Sequence, residues 1–381
     1  MKYLFILGRN VKLSIAEVFS FLEKENIQIL NHYKRNNSIL IETDKALGDI
    51  VNKFGGVIAI GEVLTSGKIE KIINDIEKIN LYNKKENKFN YALWNFSDED
   101  SISEISIYLK KRFKSEKLKA SEKTFRGLIK LQNMDFAENI PSKNSIKEEY
   151  FLFSDSDNKN DNFFGIVNQR CDYDQIEERD MKKPVRRQEL AISPRLAKII
   201  INLSQANENE ILLDPFCGIG VILEEALLQN KKVIGIDKDK EAIGGAKKNL
   251  EWFKFKKTDY QLIVGDSRNI IPERANVIVT EPSLGKTLRK AAKKEEAEKI
   301  MNDFENLMIS VLNNLKSKIS GKIVFTSPLI KTTQGRIPCN FENILKNTGL
   351  KLGKIKDINF PIPEFREDQI VGRNIVVLDK Y

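Results

Sequence analysis

The 381-residue sequence predicts an α/β protein: a doubly wound parallel sheet in its second half, preceded by two smaller α+β units. Two observations predict this. Beyond residue 190, short apolar runs alternate with amphipathic stretches in βα rhythm. Three of those runs end in an acid with a glycine close by in sequence, at Asp214, Asp237 and Asp266. The expected units are residues 1–60, 61–170, a linker 171–190, and 191–381.

The first unit reads as βαββα. Lys2–Leu7 is a strand, and Ser14–Glu23 is a helix presenting Ile15, Val18, Phe19 and Leu22 on one face. Ser14 is its expected N-cap, with Glu17 completing a capping box. Ile27–Tyr33 and Ser38–Glu42 are strands around the turn formers Asn36-Asn37. Ala46–Phe54 is expected as a second helix, ended by Gly55-Gly56.

In the second unit, Ile102–Phe113 is an amphipathic helix whose basic end complements its C-terminus. Nine basic residues stand between Lys110 and Lys130 against Glu116 and Glu122, interleaved with Phe113 and Phe125. Lys110, Lys111, Arg112 and Arg126 are the candidates there for phosphate contact; a solvated face is the alternative. Glu149–Phe153 and Phe163–Gln169 would pair across the polar loop Ser154–Asn162.

Cys171–Gln188 reads as a charged connector broken by Pro184. A helix starts at Ser193-Pro194, with proline at its first position, and runs to about Ser204. Strands follow at Glu210–Leu213, Lys232–Ile236, Tyr260–Val264, Val277–Thr280 and Lys322–Thr326. Gly353–Phe360 and Asn374–Leu378 are expected to close the sheet as an antiparallel hairpin.

The chemistry gathers at the strand ends. Asp214-Pro215-Phe216-Cys217-Gly218-Ile219-Gly220 leads into a helix, Val221–Leu228. Its glycines let backbone approach a ligand, and the helix start offers N–H groups to a carboxylate. Asp237 follows about twenty residues on, where an acid holds ribose hydroxyls in doubly wound sheets. Gly265-Asp266-Ser267 ends the neighbouring strand. The third glycine of a dinucleotide fingerprint is replaced by Leu223, and no Gly-Lys-Ser/Thr follows the turn. A nucleoside ligand with a carboxylate and no pyrophosphate describes S-adenosyl-L-methionine. Asp214, Phe216, Gly218, Gly220, Asp237, Asp266 and Ser267 are its candidate contacts.

These motifs resemble those of the class I, Rossmann-like methyltransferases, and Asp-Pro-Phe-Cys-Gly resembles the branch that methylates exocyclic base nitrogens. Arg179–Pro184, Ser193–Leu203 and Val371–Leu378 are similar to the linker, leading helix and last strand of the THUMP-containing tRNA guanosine N2-methyltransferases. The resemblance implies a seven-stranded Rossmann-like methyltransferase domain preceded by ferredoxin-like and THUMP-like units. It also implies a tRNA partner.

One motif departs from that family. Where it has Asp/Asn-Pro-Pro-Tyr/Phe, this chain has Glu281-Pro282-Ser283-Leu284. The resemblance makes Glu281 and Pro282 the catalytic candidates, as acceptors for the amine hydrogens. Leu284 stands where an aromatic ring would stack on the base, an interaction worth about 1–3 kcal/mol; Phe216 and Phe365 are candidate substitutes. Lys286 and Arg289 begin a basic stretch beside this motif and are candidates for flanking phosphates.

Sixty-three Lys and Arg against 54 Asp and Glu give a net charge of +9, which suits a polyanionic partner. Three scattered cysteines and one histidine exclude a Cys/His zinc site, a disulfide framework and a histidine triad, so no metal is expected. Apolar runs such as Tyr3–Leu7 are too short for a membrane span or a signal peptide. A cytoplasmic monomer is the expectation. Alternatives are a DNA amino-methyltransferase, and an RNA-binding protein that keeps the cofactor fold without turnover.

Overall fold

The computed structural model describes residues 1–82, 86–126, 146–155, 161–187, 192–285, 288 and 290–380, with the side chains of 124–126 excepted. They group into two units. The first holds Met1–Ile15, Asn26–Asn52 and Gly56–Asp172; the second holds Ala16–Glu25, Lys53–Gly55 and Tyr173–Tyr381.

In chain order the first elements are β1 (Lys2–Leu7), α1 (Val11–Lys24), β2 (Ile29–Arg35), β3 (Ser38–Thr43), β4 (Val57–Gly67), α2 (Ile69–Ile76), β5 (Lys88–Phe96), α3 (Glu99–Ser115), β6 (Lys119–Arg126), β7 (Glu148–Ser154) and β8 (Asn162–Arg170). Among the described residues the strands form one sheet, ordered β2-β3-β1-β4-β8-β7-β5-β6. The boundary expected at residue 60 falls inside β4, which pairs with β1 on one side and β8 on the other. Aromatic side chains fill the core of this unit, where Tyr91, Phe113, Tyr150 and Phe164 are fully buried. Tyr82 stacks on Phe89 with centroids 3.9 Å apart.

Two local expectations are corrected here. Asn10, not Ser14, caps α1: its Oδ1 accepts from the Leu13 amide at 3.1 Å, while the Ser14 hydroxyl donates to the Asn10 carbonyl. Ala46–Phe54 is not an α-helix but holds a single 3-10 turn, Val51–Lys53. The Gln169 side chain from β8 takes the Ile50 and Val51 amides at 2.9 and 3.1 Å, so these amides do not enter a helical ladder. In contrast, α3 is longer than expected because Asp98 accepts from the Ser101 amide and moves the start forward.

The second unit continues with α4 (Tyr173–Lys182), α5 (Pro194–Leu203), β9 (Ile211–Asp214), α6 (Val221–Leu227), β10 (Lys232–Asp237), α7 (Lys240–Trp252), β11 (Tyr260–Val264), β12 (Val277–Thr280), α8 (Lys294–Leu315), β13 (Ile323–Thr332), β14 (Gly335–Pro338), α9 (Phe341–Thr348), β15 (Lys351–Leu352), β16 (Lys354–Ile355), β17 (Ile358–Asn359), β18 (Ile362–Glu364) and β19 (Val371–Asp379). Seven strands follow the path β11-β10-β9-β12-β13-β19-β15. β9 to β13 run parallel, and β19 inserts antiparallel between β13 and β15. Strand order reverses between β9 and β12, which makes their carboxyl ends the switch point of the sheet. α8 seals one face, burying Met301, Phe304, Met308, Val311, Leu312 and Leu315 at helical spacing against Ile278, Ile323, Phe325 and Val376.

The expected closing hairpin is also corrected. Lys356 adopts φ 52°, and the left-handed turn folds β16 onto β17 instead. β13, β15 and β18 are what pair with β19. The charged connector proves to contain α4, tied to α6 by Arg179–Glu225 at 2.7 Å and Lys183–Glu224 at 3.3 Å. The Glu17 carboxylate is buried and accepts from the Gly55 amide at 2.7 Å and the Asn202 side chain at 2.8 Å, so it serves no capping box. No helix among the described residues is long and apolar enough to cross a membrane.

Candidate active site

Four parallel strands end side by side, and the first turn is built to lie over its neighbour. Gly218 and Gly220 adopt φ 52° and 93°. Gly235 in β10 passes so close beneath that a Cβ there would come within 2.6 Å of Leu223 and 2.9 Å of the Cys217 sulfur. Asp214 lies under this turn, 1% exposed. Its Oδ1 accepts from the Thr280 hydroxyl of β12 at 2.6 Å and from the Phe216 amide at 3.0 Å. Burial pushes its pKa up to about 7. Its hydrogen bonds are thus spent on protein, where they pin the switch point.

Asp237 presents a different picture. Oδ2 accepts from the Gly218 amide and Oδ1 from the Asp239 amide, both at 2.9 Å, which fixes the carboxylate while each oxygen keeps a further lone pair. Asp266 is engaged by Arg268, whose guanidinium approaches to 2.5 Å. That pairing is the main reason its pKa falls to about 2. The buried Ser267 hydroxyl donates to the Pro215 carbonyl and joins the first and third loops.

Glu281 extends from the end of β12, and its carboxylate is held from two other strands. Arg373 of β19 donates through Nε to Oε1 at 2.5 Å and through Nη2 to Oε2 at 3.4 Å. Thr326 of β13 donates to Oε1 at 3.2 Å. Burial works against the Arg373 charge, but the Glu281 carboxylate outweighs it, so the guanidinium pKa lies above its ordinary value.

One cavity of about 560 Å³ gathers Phe216, Asp237, Asp266, Ser267, Glu281, Pro282 and Leu284 on its wall, together with Arg187, Arg268 and Arg373. A second, of about 100 Å³, is bordered by Asp214, Phe216, Gly218 and Glu281. The sequence-predicted Gly220 is not among the residues lining either cavity; a Cβ there would stand 3.3 Å from Ala246. Of the two candidate stacking rings, Phe216 lines both cavities. Phe365 lines neither; its face is covered by the Arg336 guanidinium, 4.1 Å from the ring centroid.

The predicted phosphate contacts divide. Lys110 pairs with Glu122 at 3.4 Å, and Lys111 is exposed on α3. Arg112 is structural: it donates to the Ile76 and Ile79 carbonyls past the end of α2 and pairs with Glu116 at 2.8 Å. The Arg126 side chain, Lys286 and Arg289 lie outside the described residues. Arg268 was not singled out in the sequence, and Arg373 had no assigned role there. Nothing along the chain marks 373 as a neighbour of 281; only the insertion of β19 beside β13 brings them together.

Comparison with known proteins agrees with this geometry. A model of the DNA methylase family matches residues 9–248, more than half of the chain. The chain belongs to that methylase family. A model of the RMKL-like methyltransferase domain also matches, over residues 183–329. The chain is 36% identical over 115 residues to a tRNA (guanine(10)-N2)-dimethyltransferase of Methanothermobacter thermautotrophicus, covering 30% of this chain and 33% of that one. It is 34% identical over 142 residues to the enzyme of the same name from Methanocaldococcus jannaschii, covering 35% and 37%. The matches therefore span only about a third of each relative's length. The crystal structure of TrmN from Thermus thermophilus superposes over the whole of both chains with a TM-score of 0.53 at 11% identity, which shows a shared fold.

S-adenosylmethionine is the cofactor of such a methylase, and the residues present fit it. The larger cavity has the volume of a small-molecule site. Asp237 is fixed with lone pairs to spare for ribose hydroxyls. At Gly218 no atom lies within 4 Å of where a Cβ would stand, leaving open a cradle that a side chain would fill.

Proposed function

We propose that this methylase transfers a methyl group from S-adenosylmethionine to the exocyclic N2 of a guanosine in tRNA, with the first unit acting as a ferredoxin-like and THUMP-like grip on the RNA. The observation that carries the reading is Glu281: its carboxylate stands on the wall of the same cavity as Asp237 and Asp266. Similarity to tRNA (guanine(10)-N2)-dimethyltransferases favours guanine N2 as the acceptor and tRNA as the substrate. A cytoplasmic monomer is part of the reading.

Bound cofactor supplies an electrophilic methyl group on a sulfonium. Asp237 would hold the ribose through the lone pairs left beside its two amide bonds, and the Gly218 turn would let backbone lie against the ligand. Glu281 would accept from the exocyclic amine, orient the nitrogen lone pair toward the cofactor pocket and take up the proton that the amine gives up. Leu284, Leu288 and Leu307 give the cavity an apolar wall. Phe216 is the ring placed to stack on the base, in place of the aromatic residue that Leu284 lacks.

The family description favours a second reading, amine methylation in DNA. The test is methyl transfer from labelled S-adenosylmethionine to unmodified tRNA and to duplex DNA, with nucleosides identified after digestion. Label in N2-methylguanosine from tRNA supports the first reading. Label in DNA alone supports the second and overturns the first.

A further inference from the structure

The family to which the active-site motif is similar carries Asp or Asn where this chain has Glu281, and the longer arm needs an anchor. A glutamate carboxylate turns freely about its last torsion, which has broad, weakly defined wells. Here that freedom is removed from two sides. Arg373 grips the carboxylate with Nε and Nη2, and the buried Thr326 hydroxyl adds a third donor to Oε1. Both anchors sit in paired strands. Arg373 stands opposite Pro328 of β13 and Glu364 of β18, and Thr326 opposite Ile375 of β19. Arg373 directs two side-chain hydrogen bonds to Glu281. Their asymmetry matters: among the described residues Oε1 receives two donors and Oε2 one, at 3.4 Å, so Oε2 keeps acceptor capacity for an amine.

We propose that Arg373 is the positioning residue of the transfer reaction, and that the length of Glu281 is matched to it. Arg373 orients the acceptor carboxylate so that Oε2 faces the substrate amine. This rests on the reading of the cavity as a methyl-transfer site. A shorter Asp at 281 would restore the acid usual in the resembling family but could not keep both the Arg373 fork and the Thr326 contact.

The test is steady-state methyl transfer to tRNA and DNA by the full chain and by Arg373→Met, Arg373→Lys, Glu281→Asp and the Glu281→Asp/Arg373→Met double variant. S-adenosylhomocysteine affinity is measured beside it. Misplacing a reacting group by about 1 Å costs on the order of 100-fold in rate. Arg373→Met should therefore lose about that factor in kcat, with the nucleic-acid KM and the S-adenosylhomocysteine Kd within about threefold. Arg373→Lys should recover part of the loss. Glu281→Asp, which leaves Arg373 in place, should lose activity to a similar degree, and the double variant should be no worse than either single. Wild-type kcat in Arg373→Met, a faster Glu281→Asp, or losses that multiply in the double variant would overturn the proposal. Equal losses of kcat and cofactor affinity in Arg373→Met would also overturn it, showing a merely structural strut. Transfer to DNA alone overturns the tRNA reading and leaves Arg373 tested on DNA. Transfer to neither by the wild-type chain contradicts both.

Discussion

Asp214 and Thr280 are joined across the point where the strand order reverses, hydroxyl to carboxylate at 2.6 Å, in a setting where Asp214 is almost wholly buried. The bond ties the first loop of the site to the strand that carries Glu281. Burial raises the Asp214 pKa to about 7 from 3.8, so the folded state holds its proton more tightly than the unfolded chain does.

The sign follows from linkage. Stability from this group is fully present below about pH 4 and is lost as the pH rises through about 7. Glu224, pushed up to about 7 chiefly by burial, adds a loss of the same sign. Asp214→Asn keeps an acceptor for Thr280 and removes one of the two titrations. Urea unfolding at pH 5 and pH 7.5 should show a smaller drop in stability for the variant than for the wild type; an unchanged drop contradicts the assignment.

Glu17→Ala should destabilise the second unit without touching the site. The change leaves the Gly55 amide without its carboxylate and removes one of the Asn202 partners. Leaving a buried donor unmet costs about 1–3 kcal/mol. Thermal unfolding should show a Tm several degrees lower, with cofactor affinity retained.

Glu17 also shows where reading the sequence stops. Ser14 and Glu17 have the spacing of a capping box, yet the helix starts earlier and the acid turns inward to meet Gly55 and Asn202. The strand-end acids were legible because each ends an apolar run with a glycine close by in sequence, a local signal. α4 was not, because ion pairs to α6 hold it rather than an apolar stripe. Arg373 has no local signal at all: its role depends on β19 being inserted between β13 and β15.

Asp237→Ala should weaken the cofactor. Hydrogen bonds to a charged group are worth about 1.5–3 kcal/mol, so S-adenosylhomocysteine affinity should fall roughly 10- to 100-fold by calorimetry. Affinity within twofold of wild type would remove Asp237 from the ribose site.

The basic residues of α3 and of the turn into β6 should separate into two kinds. Lys111, Lys114, Lys117 and Lys119 are exposed, whereas Arg112 is spent on the Ile76 and Ile79 carbonyls. Replacing the four lysines by Gln should weaken tRNA binding and flatten its salt dependence, each lost phosphate contact lowering the slope by about 0.7–0.9. Arg112→Ala should lower the Tm instead. Unchanged tRNA affinity in the quadruple variant would take this face out of the RNA interface.

The activity proposed for this chain is methylation of guanine N2 in tRNA. The most direct measurement is a mass map of modified nucleosides in tRNA from cells with and without the gene, each with wild-type or Glu281→Ala protein restored. The account predicts that N2-methylated guanosine at one tRNA position disappears with the gene, returns with the wild type and does not return with Glu281→Ala. An unchanged set of N2-methylated guanosines, or full return with the variant, would contradict it.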